Sequence, residues 1–401
     1  MKKKTFLDKN ITRREFVKKS IIVVGGVSLA VYAIKNSLFK DVDTISTFTF
    51  RNDAPEELWK WSREADFYSK NGKEVQCNLC PRGCFLGPAD RGYCRTRINK
   101  DGKLYTLSYG NPTSVHVDPI EKKPLFHYLP GTKAFSIATN GCNLRCLYCQ
   151  NWDISQKKPE ETKFFDLLPE ALVEAVVQAK EKDPALSSVA YTYSDPLAFY
   201  EYMVDSAKLL RKQGIKTVVI TAGYFTPESM KELARNVDAI KIDLKGFNED
   251  FYREVTSAHL DGVLEAIKIV NKSDAWLEIV NLLVPTLNDD MDEMRDMSRW
   301  VVDNIGKDVP IHFSRFHPDY KLRNLPATPI NSLKKAREIA IEEGINYAYI
   351  GNVPHDDYEN TYCPKCKSIA IERIGYIIKQ NNIVDGKCSE CGERIAGVWK
   401  L

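Results

Sequence analysis

The stretch GCNLRCLYCQNW occupies residues Gly141–Trp152 and carries Cys142, Cys146 and Cys149 at the spacing C-x3-C-x2-C. Tetrahedral metal sites that are complete within the protein usually show two pairs of ligands. A loop that stops at three leaves one coordination position to something else. The stretch before it, AFSIATN, reads as a strand. After the loop come six further strand-like runs, SSVAYTY, IKTVVIT, VDAIKIDL, AWLEIVNLLV, VPIHFSR and NYAYIG, separated by helix-patterned segments. Six strand–helix units rich in β-branched strand residues imply a parallel sheet with helical crossovers. Six repeats are too few for a complete eight-fold barrel. The expected fold is therefore α/β: a partial (β/α)6 TIM-like barrel, with a doubly wound open sheet as the alternative. In both, functional groups collect beyond the C-terminal ends of the strands, where the three cysteines lie.

Working outward, the 401 residues contain 11 cysteines, which fall into three groups with none left over. An odd number in close-spaced clusters argues against a disulfide framework and for thiolate metal ligands. Cys363, Cys366, Cys388 and Cys391 form C-x2-C-x21-C-x2-C, the spacing of a zinc-ribbon-like tetrahedral site. The tail that holds them, residues 356–401, is too small to fold without a staple. Cys77, Cys80, Cys84 and Cys94 form C-x2-C-x3-C-x9-C, compatible with a zinc knuckle or with a second iron–sulfur cluster. Zinc is the reading preferred here, for one or two Zn2+ in all. Between Ala54 and Gln76 a helical stretch is expected to end near Asn71-Gly72, and residues 103–133 read as short strands and turns. The domains expected are 1–45, a leader; 46–130, an N-terminal extension with the first four-cysteine group; 131–355, the partial barrel; and 356–401, the tail.

Composition excludes little: hydrophobic residues make up 43% and charged residues 28%, near globular averages. A net charge of +3 gives no argument for a nucleic-acid partner. Near the N-terminus, Arg13-Arg14 with Phe16 and Lys18 precede an apolar run from Ile21 to Ile34. That run is shorter than the roughly 20 residues of a membrane span and suits a twin-arginine-type signal, with Val31-Tyr32-Ala33 as a weak cleavage site. Export, or attachment to a membrane through residues 20–34, is the expectation, with a cytoplasmic location as the alternative.

Three thiolates can hold three irons of a [4Fe–4S] cluster, against the usual four, and the loop resembles that of the radical S-adenosylmethionine (SAM) superfamily. Tyr148 stands where the superfamily loop carries an aromatic residue. The resemblance implies that the methionine moiety of SAM chelates the open iron. An electron from a low-potential donor such as ferredoxin or flavodoxin then yields a 5′-deoxyadenosyl radical that abstracts hydrogen from a substrate. ATNGCNLRCLYCQNWDISQ, YTYSDPLAFYEY, IKIDLKGF, SRFHPDYK, YIGNVP and the paired C-terminal cysteines together resemble the AmmeMemoRadiSam system radical SAM enzymes, relatives of glycyl-radical activases, over about residues 65–401. The resemblance carries site residues with it. Asp195 stands in Tyr193-Ser194-Asp195-Pro196 where the family has Tyr-Asn-Glu-Pro. Asp243 and Lys245 match an Asp-x-Lys element bordering SAM. Thr221 and Gly223 match a Thr-Asn-Gly in which Ala222 replaces Asn. Asn281 is expected to reach the ribose. Arg315, His317 and Asp319, with Asn352 as a weaker candidate, are expected to line the substrate mouth. The substrate is an unidentified protein or small molecule. The rival readings are activation of a partner protein at a glycine, and modification of RNA or a small molecule.

Overall fold

The computed structural model describes residues 54–353 and 357–401. The eight-stranded main sheet consists of β1 (Ser114–Pro119), β2 (Lys133–Ala138), β3 (Leu186–Tyr191), β4 (Lys216–Thr221), β5 (Ala239–Asp243), β6 (Trp276–Leu283), β7 (Ile311–Arg315) and β8 (Ala348–Gly351). Its spatial order is the chain order, from β8 at one edge to β1 at the other. All neighbours from β2 to β8 pair in parallel, and β1 pairs antiparallel with β2. A doubly wound sheet reverses its strand order at a switch point; a strictly sequential order does not, and the chain is a partial barrel with two free edges. The crossovers between successive parallel strands are α1 (Pro169–Lys182), α2 (Tyr200–Lys212), α3 (Pro227–Asn236), α4 (Leu260–Asn271), α5 (Met291–Asn304) and α6 (Ile330–Glu342).

Burial follows from the sequence pattern. Every residue of β3 is buried, as expected of a parallel strand covered on both faces. Helix α1 buries Leu172, Ala175, Val176 and Ala179, a spacing of three and four that puts one face against the sheet.

The segments outside the six repeats differ from expectation. The helix expected to run to Asn71-Gly72 is only a 3-10 turn over Glu56–Trp61, followed by the hairpin of Tyr68–Asn71 with Glu74–Cys77. Asn-Gly is the turn of that hairpin, with Gly72 at φ 62°, and a tight Asn-Gly turn favours strand pairing over helix continuation. Residues 114–119, expected outside the barrel, form its antiparallel edge. The twin-arginine-type signal or anchor expected over residues 1–45 lies outside the described residues. Export and membrane attachment are withdrawn: among the described residues no helix is long and apolar enough to cross a membrane.

The tail is a four-cysteine ribbon of short strands, Thr361–Tyr362, Ile369–Ile374 and Ile377–Asn381, with Ile383–Val384 paired to Lys387–Cys388. A directional hydrogen-bond chain fastens it to the barrel. The Arg373 guanidinium donates to Phe126 O (2.8 Å), and its Nη1 donates to Thr361 Oγ1 (2.7 Å). With that oxygen used as acceptor, the Thr361 hydroxyl donates to Tyr349 Oη (2.9 Å), and Tyr349 donates to His127 Nε2 (2.5 Å). His127 Nδ1 then donates to Ala396 O (2.6 Å), which fixes a neutral tautomer. Beside it the buried Glu278 accepts from Phe126 N, His127 N, Trp276 Nε1 and His312 Nε2 at 2.7–3.0 Å.

Burial pulls the His127 imidazole down to about 4 and also lowers that of His312. The folded chain therefore binds fewer protons at these two sites than the unfolded chain, whose histidines titrate near 6.5. Their stabilising contribution is complete above that value and is lost as pH falls toward 4. The thermal unfolding midpoint is expected to drop between about pH 7.5 and about pH 5.5, and to drop less steeply in His127→Gln. Equal slopes in the two proteins would show that His127 does not drive the loss.

Candidate active site

The strand β2 ends at Ala138, and the chain turns at Gly141, φ 91°. A Cβ at Gly141 would lie 2.5 Å from Cys94 O and 2.6 Å from Thr96 Cγ2, so only glycine fits. The cysteine loop is then pinned by its own backbone. Gly141 N donates to Ile154 O (3.1 Å), Arg145 N to Thr256 O (2.9 Å) and Leu147 N to Val255 O (3.0 Å). The Arg145 side chain donates to Cys142 O (2.8 Å), to Leu144 O (2.7 Å) and to Tyr93 O.

Cys142, Cys146 and Cys149 all line one cavity of about 730 Å3, together with Tyr148. Burial pushes the Cys146 thiol up to about 11 and those of Cys142 and Cys149 above their usual value; a thiolate here requires a metal cation. Among the described residues, the four tail cysteines are the group whose sulfurs lie mutually within 4.8 Å. The three loop sulfurs are not all within that distance of one another, and a cluster spaces its ligands more widely than one ion does. The described lining holds no fourth cysteine, and its single histidine, His312, is bonded to Glu278. Three soft donors around a cavity with a position left open fit an iron–sulfur cluster that takes an outside ligand.

The strand ends supply the other walls. The Lys241, Asp243 and Lys245 side chains lie on one face of β5 and its extension, since alternate residues share a face. All three line the cavity. Asp243 is ion-paired with Lys241 and, at 3.4 Å, with Lys245. Burial disfavours its charge, but the two ammonium groups outweigh burial and hold the carboxyl below the usual carboxylate range. The stripe carries one more positive than negative charge. Lys241 was not among the expected site residues; the alternation Lys-Ile-Asp-Leu-Lys over 241–245 was its signal.

Asp195 also lines the cavity, but its carboxylate is already engaged. It accepts from Leu197 N (3.0 Å), Ala222 N (2.8 Å) and Thr221 Oγ1 (3.0 Å). It caps the 3-10 turn Pro196–Phe199 and ties the end of β3 to the end of β4. Burial pushes its carboxyl up. Thr221 is present in the lining; Gly223 is not, and its N–H bonds Thr221 Oγ1 (3.1 Å).

Two further expectations meet strand parity. Val280 and Leu282 face the cavity, so Asn281 between them points the other way. It is fully buried and donates to Leu244 O (2.7 Å). His312 and Ser314 face the cavity, so Arg315 does not; its Nε donates to Thr328 O (2.9 Å). His317 is exposed, and Asp319 accepts from the backbone N–H of Tyr320 (2.6 Å); neither lines the cavity. Their loop instead supports the cysteine loop, with Lys321 N donating to Leu147 O (2.9 Å) and Tyr320 stacked on Trp152 (5.4 Å). Asn352 does line the cavity, as do Glu359, Gly375 and Tyr376 of the tail. On the β1 side a buried cluster closes the wall. Asp118 accepts from Lys122 Nζ (2.7 Å), Lys123 Nζ (2.6 Å) and Tyr193 Oη.

With this geometry in place, the comparisons are specific. Residues 136–300 match the family model described as the Radical SAM superfamily. The uncharacterized protein MJ0808 of Methanocaldococcus jannaschii is 46% identical over 336 residues, 83% of this chain and 98% of that protein. The pyruvate formate-lyase-activating enzyme of Clostridium pasteurianum is 28% identical over 209 residues, 49% of this chain and 84% of its own length. Among solved structures, a radical SAM methyltransferase from Sphaerobacter thermophilus aligns with 79% of this chain and 80% of its own at 12% identity, with a TM-score of 0.45.

Asp243→Asn would leave Lys241 and Lys245 facing each other without their carboxylate. The expected loss is about 1–3 kcal/mol, the cost of removing one partner from charged hydrogen bonds. It is checked by the shift in urea midpoint at unchanged denaturant slope.

Proposed function

We propose, from the premise that the chain belongs to the radical SAM superfamily, that it is an enzyme of the AmmeMemoRadiSam type acting by hydrogen abstraction within the cavity described above. The observation that supports this best is the shared cavity: among its described lining residues are three cysteines with no fourth, together with a charged stripe that carries one surplus positive charge. When bound, the [4Fe–4S] cluster supplies the single electron that cleaves SAM to methionine and the 5′-deoxyadenosyl radical. Cys142, Cys146 and Cys149 hold it. The Lys241–Asp243–Lys245 stripe receives the methionine carboxylate on its ammonium groups. Asp195 acts as a positioning residue: with its oxygens taken by Leu197, Thr221 and Ala222, it sets the shape of the wall against which the SAM amino group lies. Tyr148, buried beside the sulfurs, and the tail residues Glu359, Gly375 and Tyr376 restrict water.

A cavity of about 730 Å3 is of the size that holds one drug-sized ligand. The second reading, activation of a partner protein at a glycine, is favoured by the likeness to a pyruvate formate-lyase-activating enzyme. Both require a low-potential electron donor. For the tail, Cys363 Sγ–Cys391 Sγ at 3.6 Å and Cys366 Sγ–Cys388 Sγ at 3.7 Å match the edges, about 3.8 Å, of a tetrahedron with Zn–S bonds of about 2.3 Å. Zinc there is a structural ion.

The test is anaerobic reconstitution with iron and sulfide, chemical reduction and chromatographic assay of 5′-deoxyadenosine. The enzyme is expected to form it from SAM, and Cys146→Ala to form none while keeping its tail zinc. Equal yields from enzyme and variant would refute the assignment.

A further inference from the structure

We propose that Cys77, Cys80, Cys84 and Cys94 hold a second iron–sulfur cluster, of the cuboidal four-iron class, in place of a single zinc ion. Three observations meet at this site. The first is convergence. The hairpin strand ending at Cys77 pairs its N–H with Cys84 O (2.9 Å), and the turn Cys80–Gly83 closes on a 3.1 Å hydrogen bond. Tyr93 N donates to Cys84 Sγ (3.5 Å), and the Thr96 hydroxyl, bonded to Ala198 O (2.7 Å), also lies 3.3 Å from Cys94 Sγ. N–H groups aimed at sulfur are what thiolate ligands require.

The second observation is an orphaned cation. Arg97 is 1% exposed. Its Nη2 binds Glu201 at 2.6 and 2.7 Å, but Nε and Nη1 have no partner. The guanidinium is an electrostatic neighbour of Cys77 and Cys94. Buried N–H groups left unpaired are destabilising. An anionic sulfur-rich centre between those cysteines supplies the missing acceptors.

The third observation selects between one ion and a cluster. A single zinc draws four sulfurs to about 3.8 Å of one another, as in the tail. Among the described residues no three sulfurs of the N-terminal group meet even a 4.8 Å limit. Cys142, Cys146 and Cys149 likewise fall outside that limit, so among the described residues only the tail has its sulfurs gathered as one ion requires.

The site abuts the cysteine loop. Gly141 touches Cys94, Arg82 Nε donates to Asn143 O (2.6 Å), and Arg82 and Arg145 pack on Tyr93 at 3.6 and 3.8 Å. Two positive groups thus stand between two sulfur-bound centres, which lowers the mutual repulsion of their negative charges.

The triple variant Cys142→Ala/Cys146→Ala/Cys149→Ala tests the proposal without depending on SAM chemistry. Reconstituted without oxygen, it is expected to retain about four irons and about four acid-labile sulfides per chain, with one zinc, and to give the paramagnetic signal of a reduced cluster. Retention of about two zincs and no iron would overturn it. Because the triple variant loses a pinned loop, the wild-type enzyme provides a second measure. About eight irons to one zinc supports the second cluster, and about four irons to two zincs overturns it, whatever the 5′-deoxyadenosine assay shows. In Cys80→Ser/Cys94→Ser, iron is expected to fall by about half with zinc unchanged; loss of one zinc with iron unchanged would refute the assignment.

Discussion

The chain at Gly141 passes so near the Cys94 carbonyl that a single carbon atom more would not fit, and the architecture of the site depends on that contact. It fixes where the loop leaves the first parallel strand. It also presses the cysteine loop against the N-terminal segment, so that the two sulfur groups are built as one unit. The loop is too irregular to hold itself; its N–H groups are satisfied by Thr256 and Val255, and its carbonyls by Arg145 and Lys321. A loop whose backbone groups are paired in this way can present three sulfurs to a cavity without a fourth protein ligand to organise them.

The strands and crossovers were legible because parallel strands buried on both faces read as apolar runs, and helices between them keep a spacing of three and four. Even the choice between barrel and doubly wound sheet turns on one feature, the sequential strand order, which the alternation of elements leaves open. What the sequence did not disclose is side-chain parity at strand ends. Asn281 and Arg315 are polar and sit at the right height, yet their neighbours Val280, Leu282 and Ser314 take the inward positions. A one-residue error in register moves a side chain to the opposite face, and strand-end loops have no repeat from which to read that register. Lys241 illustrates the converse, since its parity with Asp243 and Lys245 was visible and only its charge partner was not.

The segments that sequence periodicity does not describe nevertheless complete the cavity. Residues 121–124 and the tail residues Glu359, Gly375 and Tyr376 stand in its wall, and neither belongs to a strand–helix repeat. An open partial barrel has two free edges and an uncovered mouth, which unpaired strand edges and water would otherwise reach. The antiparallel β1 forms one edge, and the four-cysteine tail is bound back onto the barrel through Arg373, Thr361, Tyr349 and His127. Long-range side-chain chains of this kind leave no local pattern, which is why composition and spacing identified the tail as a separate ribbon but not as a wall of the site.

Charge is unevenly placed along the lining of the cavity. Two lysines and one aspartate on alternate positions of one strand and its extension form a compact group with one surplus positive charge, and Asp195 lines the same cavity with its oxygens already hydrogen-bonded. In a site this dry, an unpaired lysine would tend to lose its proton. Asp243 counters that: it holds Lys245 well above its ordinary value against the burial that would lower it, while Lys241, deeper in the strand, is pulled down by burial. The cavity therefore keeps a fixed cationic patch for a carboxylate beside the three sulfurs. The Asp195 carboxyl in the same lining is already committed to the fold. That pattern of charge is encoded by the five residues from Lys241 to Lys245, whose alternation places both ammonium groups and the carboxylate between them in one lining.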